Sequence, residues 1–228
     1  MNPRQKQILS ALIDDYVKEV KPISSNFLVE QHHLDFSPAT VRNELAQLLA
    51  EGYLRKIYFS SGNLPTNKAY RFLVEQILGE EVLAAELEFG LEPEIESLSE
   101  LVKLLSRQLG LLTAGIDQDL NLFVDGLEEL FNQPDFETRV QYLALGRVVD
   151  FLREAREEIF KKAENLPAAM FVGRKNPFYQ GSDELSWLVS GPGENCSPGV
   201  LISIGPTRMF YKKNWQTFCR LKDCFFKD

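Results

Sequence analysis

Pro22 and Pro38 constrain the first third of this chain more than any other feature, because a helix cannot run through either of them. Lys21-Pro22 stops a helix predicted over 4–20. Its apolar residues Ile8, Leu9, Leu12, Ile13, Tyr16 and Val17 recur at the i, i+1, i+4, i+5 spacing of a one-sided helix. Ser24 or Ser25 caps a second, short helix through about His33. Ser37-Pro38 opens a third, with serine as N-cap and proline at the first helical position. That helix runs to about Glu51, where Gly52 is placed to be its left-handed C-terminal cap. Residues 53–59 are rich in β-formers, Ser60 to Asn63 form a turn, and Thr66 caps another helix from Asn67. Helix, helix, helix, hairpin, helix within residues 1–80 is the order of a winged helix-turn-helix.

The remainder reads as mixed. Residues 80–93 are acidic and contain Gly90 and Pro93, the mark of a connector. Over 94–113, Ile95, Leu98, Val102, Leu105, Leu109 and Leu112 fall at alternating steps of three and four, a heptad seam. Such a helix either faces its own core or pairs with its copy, which makes these six residues the candidate dimerisation surface. A short apolar run and a helical turn over 118–136 end at Pro134, and a long amphipathic helix spans 137–165, with Glu157/Lys161 and Glu158/Lys162 four apart on its exposed side. After Pro167 come two buried strands, 168–172 and 200–204, separated by a loop-rich stretch with Gly191-Pro192-Gly193, and a final amphipathic helix over 212–226. The expected class is α+β, divided into residues 1–80, a linker and dimerisation helix over 81–116, and an effector domain over 117–228.

Net charge is −8, which by itself argues against nucleic acid, but the excess is not uniform. Residues 1–80 hold nine of the 25 Lys/Arg and nine of the 33 Asp/Glu, so this part is neutral and the rest carries the whole excess. No secretory signal or apolar run of membrane-spanning length is present, which points to the cytoplasm. Cys196, Cys219 and Cys224 make an odd count with no disulfide ladder, as suits a reducing compartment. Three thiols far in sequence from His32 and His33 leave a zinc site without a full ligand set, so no metal or cofactor is expected. No phosphate-binding glycine loop, nucleophile elbow or paired-carboxylate motif is present, so the chain is not read as an enzyme and no catalytic residue is assigned.

The third helix carries the chemistry. Val41, Leu45, Leu48 and Leu49 fall on its buried side, whereas Ala39, Thr40, Asn43, Ala46 and Gln47 fall opposite, flanked by Arg42. Small residues from Ser37 to Thr40 let its N-terminal end approach base edges, with N–H groups free for a phosphate. Asn43 fits adenine, and Arg42 fits guanine or a phosphate. Arg55, Lys56, Ser61 and Asn63 on the hairpin, with Lys68 and Arg71 beginning the next helix, suit the phosphate backbone beside the groove. Tyr58 and Phe59 at the tip either lie on DNA sugars or, the preferred reading, pack on the domain.

Pro22 through Glu75 resembles the N-terminal region of the HrcA heat-inducible transcription repressors, through Ser37-Pro38-Ala39-Thr40-Val41-Arg42-Asn43-Glu44 and the run from Ser60 to Phe72. Gly205-Pro206-Thr207-Arg208-Met209 with Tyr211, and Val124-Asp125-Gly126-Leu127 with Leu130 to Phe136, resemble the same family in the same order. The resemblance implies a dimeric repressor of chaperone genes that binds double-stranded DNA at an inverted repeat, the CIRCE operator. It also implies a GAF-like second domain, here abridged, and modulation by the GroEL chaperonin. Departures are Asn63 where the family has arginine, Tyr58 for histidine, Ala69 for glycine and Lys175 for glutamate. Leu112 and Asp125 stand too close for the family's intervening strands and inserted dimerisation segment. Gly205 to Met209 forms either a ligand loop or, as preferred, a turn whose Arg208 is tied to a carboxylate. The competing function is a winged helix that binds RNA or a protein.

Overall fold

Asn2 and Gln5 cap each other reciprocally ahead of Pro3, and this capping box starts α1 (Pro3–Glu19). Ile8, Leu9, Leu12, Ile13 and Val17 are buried as their spacing requires. Ser24 caps α2 (Ser25–His32) and Ser37 caps α3 (Pro38–Ala50), each accepting a backbone N–H. A Schellman motif ends α3: Gly52, at φ +76°, donates to Leu49, and Tyr53 donates to Leu48. Two short antiparallel strands follow, β1 (Leu54–Arg55) and β2 (Leu64–Pro65), and then α4 (Asn67–Gly79). This computed structural model describes residues 1–58, 61–79, 95–136, 138–192 and 199–225. It separates into two units, Met1–Gly79 and Glu80–Asp228. Phe59, Ser60, the acidic connector over 80–93 and Cys196 lie outside the described residues.

Val20 closes α1 in the left-handed region at φ 56° and is 44% exposed. A β-branched residue there strains its backbone by about 1–2 kcal/mol without packing in return. Val20→Gly should therefore raise stability by about 0.5–1 kcal/mol once the greater freedom of the unfolded glycine is subtracted, a shift measurable by urea denaturation of the purified chain.

The second unit is built on a five-stranded antiparallel sheet in the order β4-β3-β7-β6-β5. Its strands are β3 (Leu112–Asp117), β4 (Leu122–Asp125), β5 (Ala169–Val172), β6 (Leu185–Ser190) and β7 (Gly199–Pro206). Leu112, Ala114 and Ile116 of β3, Trp187 and Val189 of β6, and Ile202 and Ile204 of β7 join one core with α6 (Leu127–Phe131), α7 (Arg139–Glu154) and α8 (Arg156–Ala163). The alternate residues face α5 (Leu98–Leu109) and α9 (Tyr211–Phe225). There a Cβ on Gly115 would meet Val102 and Leu98, and Ser186 bonds the hydroxyl of Tyr211 at 2.7 Å. Helices and sheet together make the chain α+β.

Six expectations change. The helix foreseen over 94–113 stops at Leu109, with Gly110 as a left-handed cap, and Leu112 opens a strand. Leu98, Val102, Leu105 and Leu109 are at most 8% exposed because they cover the chain's own sheet, and Leu112 is fully buried in it. These residues are not a dimerisation surface; only Ile95, half-buried ahead of α5, retains exposure. For the same reason residues 98–116 belong to the sheet unit rather than to a linker. The interval from Leu112 to Asp125 holds a β-hairpin, β3–β4, so strands are present where the spacing suggested none. The 137–165 helix is broken at Ala155 into α7 and α8, and the loop-rich stretch contains β6.

Candidate nucleic-acid interface

Val41, Leu45 and Leu48 bury one side of α3, which turns Ser37, Ala39, Arg42, Asn43, Ala46 and Gln47 to solvent. Thr40 is half-buried, its N–H donating to Ser37 Oγ at 3.1 Å and its hydroxyl 2.9 Å from the same oxygen. Gln47 Oε1 accepts from Gln5 Nε2 at 2.7 Å, so its carbonyl is turned towards α1. Ser37, Ala39, Arg42 and Asn43 therefore form an uncovered surface with one amide and one guanidinium, the groups that pair with purine edges.

The hairpin stands beside this surface. Ser61 organises its turn: the hydroxyl donates to the Tyr58 carbonyl at 2.7 Å and accepts from the N–H of Ile57 at 3.1 Å. Ile23 and Asn63 exchange backbone bonds of 3.0 and 2.7 Å, which joins the hairpin to the start of α2. Between α2, α3 and the hairpin lies an open cleft of about 240 Å³ with Ser24, Ser25, Arg42, Lys56 and Ser61 on its walls. Two cations and the N-terminus of α2 thus converge on one concavity, which suits an anionic backbone.

Other candidates are not brought to it as expected. Asn63 lines the cleft but is only 6% exposed, and its Nδ2 donates to the Ile23 carbonyl at 3.2 Å, so it holds the hairpin rather than presenting itself to a ligand. Lys68 donates to the Glu51 carbonyl at 2.7 Å and sits 4.2 Å from the Tyr53 ring centroid. It closes the C-terminal end of α3, about 20 Å along the helix from Ser37. Arg71 is half-buried on α4, whereas Arg55 is exposed on β1, next to Lys56, as the sequence suggested. Tyr58 does not pack on the domain: it is 65% exposed, beside Ile57 at 62%. Arg4 was not legible as part of this surface. Its guanidinium lies 3.4 Å from Glu44 and over the Phe36 ring at 4.8 Å, which places a cation from α1 next to α3 across a sequence distance no local pattern reports.

In the C-terminal motif Arg208 is tied to a carboxylate. Arg208 Nε and Nη2 donate to the two carboxylate oxygens of Asp135, joining the bend that follows β7 to the segment after α6. Burial pushes the Cys219 thiol up to about 12, so it is no nucleophile at neutral pH. Among the described residues no cluster of three or more His, Cys, Asp or Glu could hold a metal ion, and no helix is long and apolar enough to cross a membrane.

The family model described as HrcA protein C terminal domain matches residues 31–214. Proteins named heat-inducible transcription repressor HrcA are similar over parts of the chain. That of Acetivibrio thermocellus is 35% identical over 117 residues, 50% of this chain and 33% of its own. That of Staphylococcus haemolyticus is 47% identical over 75 residues, 33% of this chain and 23% of its own. The aligned part thus spans about a third or less of these relatives. A crystal structure of a hypothetical protein shares the fold with a TM-score of 0.78 at 16% identity, covering 99% of both chains.

Proposed function

The chain belongs to the HrcA family, and from that premise we propose that its first unit is a winged helix-turn-helix through which a homodimer binds an inverted repeat in double-stranded DNA and represses heat-shock genes. On this reading α3 is the recognition helix, with Arg42 and Asn43 at the base edges, and β1–β2 is the wing, with Arg55 and Lys56 at phosphates. The second unit, an antiparallel sheet covered on both faces, is read as an abridged GAF-like domain. One observation carries the proposal: Ala39, Arg42 and Asn43 are exposed together at the N-terminal part of α3, beside a cleft that adds Lys56.

A gel shift on the inverted repeat and on scrambled DNA, titrated with salt, tests it. Asn43→Ala should lose about 10–100-fold in affinity for the repeat and little for scrambled DNA. Lys56→Ala should weaken both alike and lower the salt slope by about one. Unchanged preference in Asn43→Ala would remove that side chain from base readout. The exposed Ile57 and Tyr58 favour a second reading, a protein-binding module; absence of any salt-dependent shift on either DNA would select it.

A further inference from the structure

Among the described residues of the second unit, one face of helix α7 has no neighbour. Arg139, Leu143, Gly146 and Asp150 recur along it at steps of four, three and four, and all are exposed. Leu143 is 53% exposed, and Tyr142 beside it is 41% exposed. Tyr142 is fixed in this position. Its hydroxyl donates to the Phe136 carbonyl at 2.9 Å, and its ring meets the exposed Phe131 edge-on at 5.1 Å. Large apolar side chains grouped at a surface in this way mark a contact region.

Two further observations say what covers it. A Cβ on Gly146 would meet nothing within 4 Å, so none of the described residues uses the room this glycine leaves. Glycine weakens a helix interior relative to alanine, and its usual return is the close approach of another backbone or side chain. Arg139 is the first residue of α7, where the helix's own partial positive charge disfavours a cation. Both features are resolved by an antiparallel copy of the same helix. With a two-fold axis crossing α7 between residues 144 and 145, Leu143 of each copy falls on Gly146 of the other. Arg139 of each then faces Asp150 of the other, and each contact occurs twice, as an isologous interface requires.

We propose that α7 is the surface through which two copies of this chain associate, antiparallel and centred on the Leu143–Gly146 contact. Its occupant rests on the homodimer of the preceding reading; its geometry does not. The sheet unit thereby gains a dimer interface, although the α5 seam is spent on its own core.

Sedimentation of the full chain tests this with charge exchange. In an Arg139→Asp homodimer two aspartates face two aspartates, and in Asp150→Arg two arginines face two arginines. Each variant should raise the dimer dissociation constant about tenfold or more. An equimolar mixture should recover heterodimers of native affinity, because both pairs across that interface are again opposite in charge. Asp150 contacts Arg153 only at 3.9 Å and both are exposed, so circular dichroism should show each variant folded. A dimeric parent whose variants dissociate no more readily would overturn α7 as the interface and leave the dimer reading standing. A parent that stays monomeric at every concentration would remove the dimer and this interface together.

Discussion

Asp135→Ala should lower the stability of the second unit by about 3–5 kcal/mol, the cost of breaking a largely buried charge pair held by two hydrogen bonds. The Arg208 side chain is 8% exposed and that of Asp135 is 23%. Removing the carboxylate leaves a guanidinium that bulk water barely reaches. Removing the guanidinium leaves a carboxylate that water reaches more easily, so Arg208→Met should cost less, about 2–3 kcal/mol. The double variant should be more stable than the two losses added together, with a coupling of about 1–3 kcal/mol. Trp187 and Trp215 are the chain's only tryptophans and both lie in the second unit, so fluorescence followed through urea reports this unit alone. Equal and additive losses would mean that the pair contributes no more than its separate packing.

Gly126→Ala should be nearly as damaging. Gly126 stands at φ +92°, and a Cβ there would lie 2.2 Å from the Leu111 carbonyl oxygen and 2.7 Å from the Cβ of Ser106. The left-handed backbone costs about 1–2 kcal/mol for an alanine, and forcing β3 or α5 away costs about 1–3 kcal/mol more. A total of about 2–5 kcal/mol should lower the melting temperature by about 4–20 °C in a domain of this size. The site also holds the Ser106 hydroxyl bond to Asp125 at 3.1 Å, so a displaced α5 should loosen the β4 end of the sheet. A melting temperature within about 2 °C of the parent would show that the α5–β3 corner yields at little cost.

The sequence disclosed the first unit well because its signals are local. Proline and serine fix where α2 and α3 begin, Gly52 fixes where α3 ends, and a single amphipathic period decides which side of α3 faces out. The failures share one cause. Nothing local distinguishes Asn63 at an exposed wing from Asn63 turned inwards to Ile23, or a phosphate-binding Lys68 from one bonded to the Glu51 carbonyl. In the second unit the sheet is buried on both faces, so β3 lacks the polar–apolar alternation of a half-exposed strand, and the heptad spacing carries on into Leu112 by accident. Gly110 was the available stop signal. β6 escaped notice because Ser186 and Ser190 interrupt its apolar pattern although both are buried. The break at Ala155 carries neither proline nor glycine.

The bonds between Ile23 and Asn63 have a bearing on binding itself. They rivet the hairpin to the entry of α2, and Gly62 runs so close to Pro22 that a side chain there would lie 2.7 Å from its carbonyl carbon. The angle between hairpin and helices is therefore set before any ligand arrives, which spares that ordering cost on association. A duplex docking here would meet a rigid gauge, and whatever bending or groove narrowing the fit demands would fall on the nucleic acid.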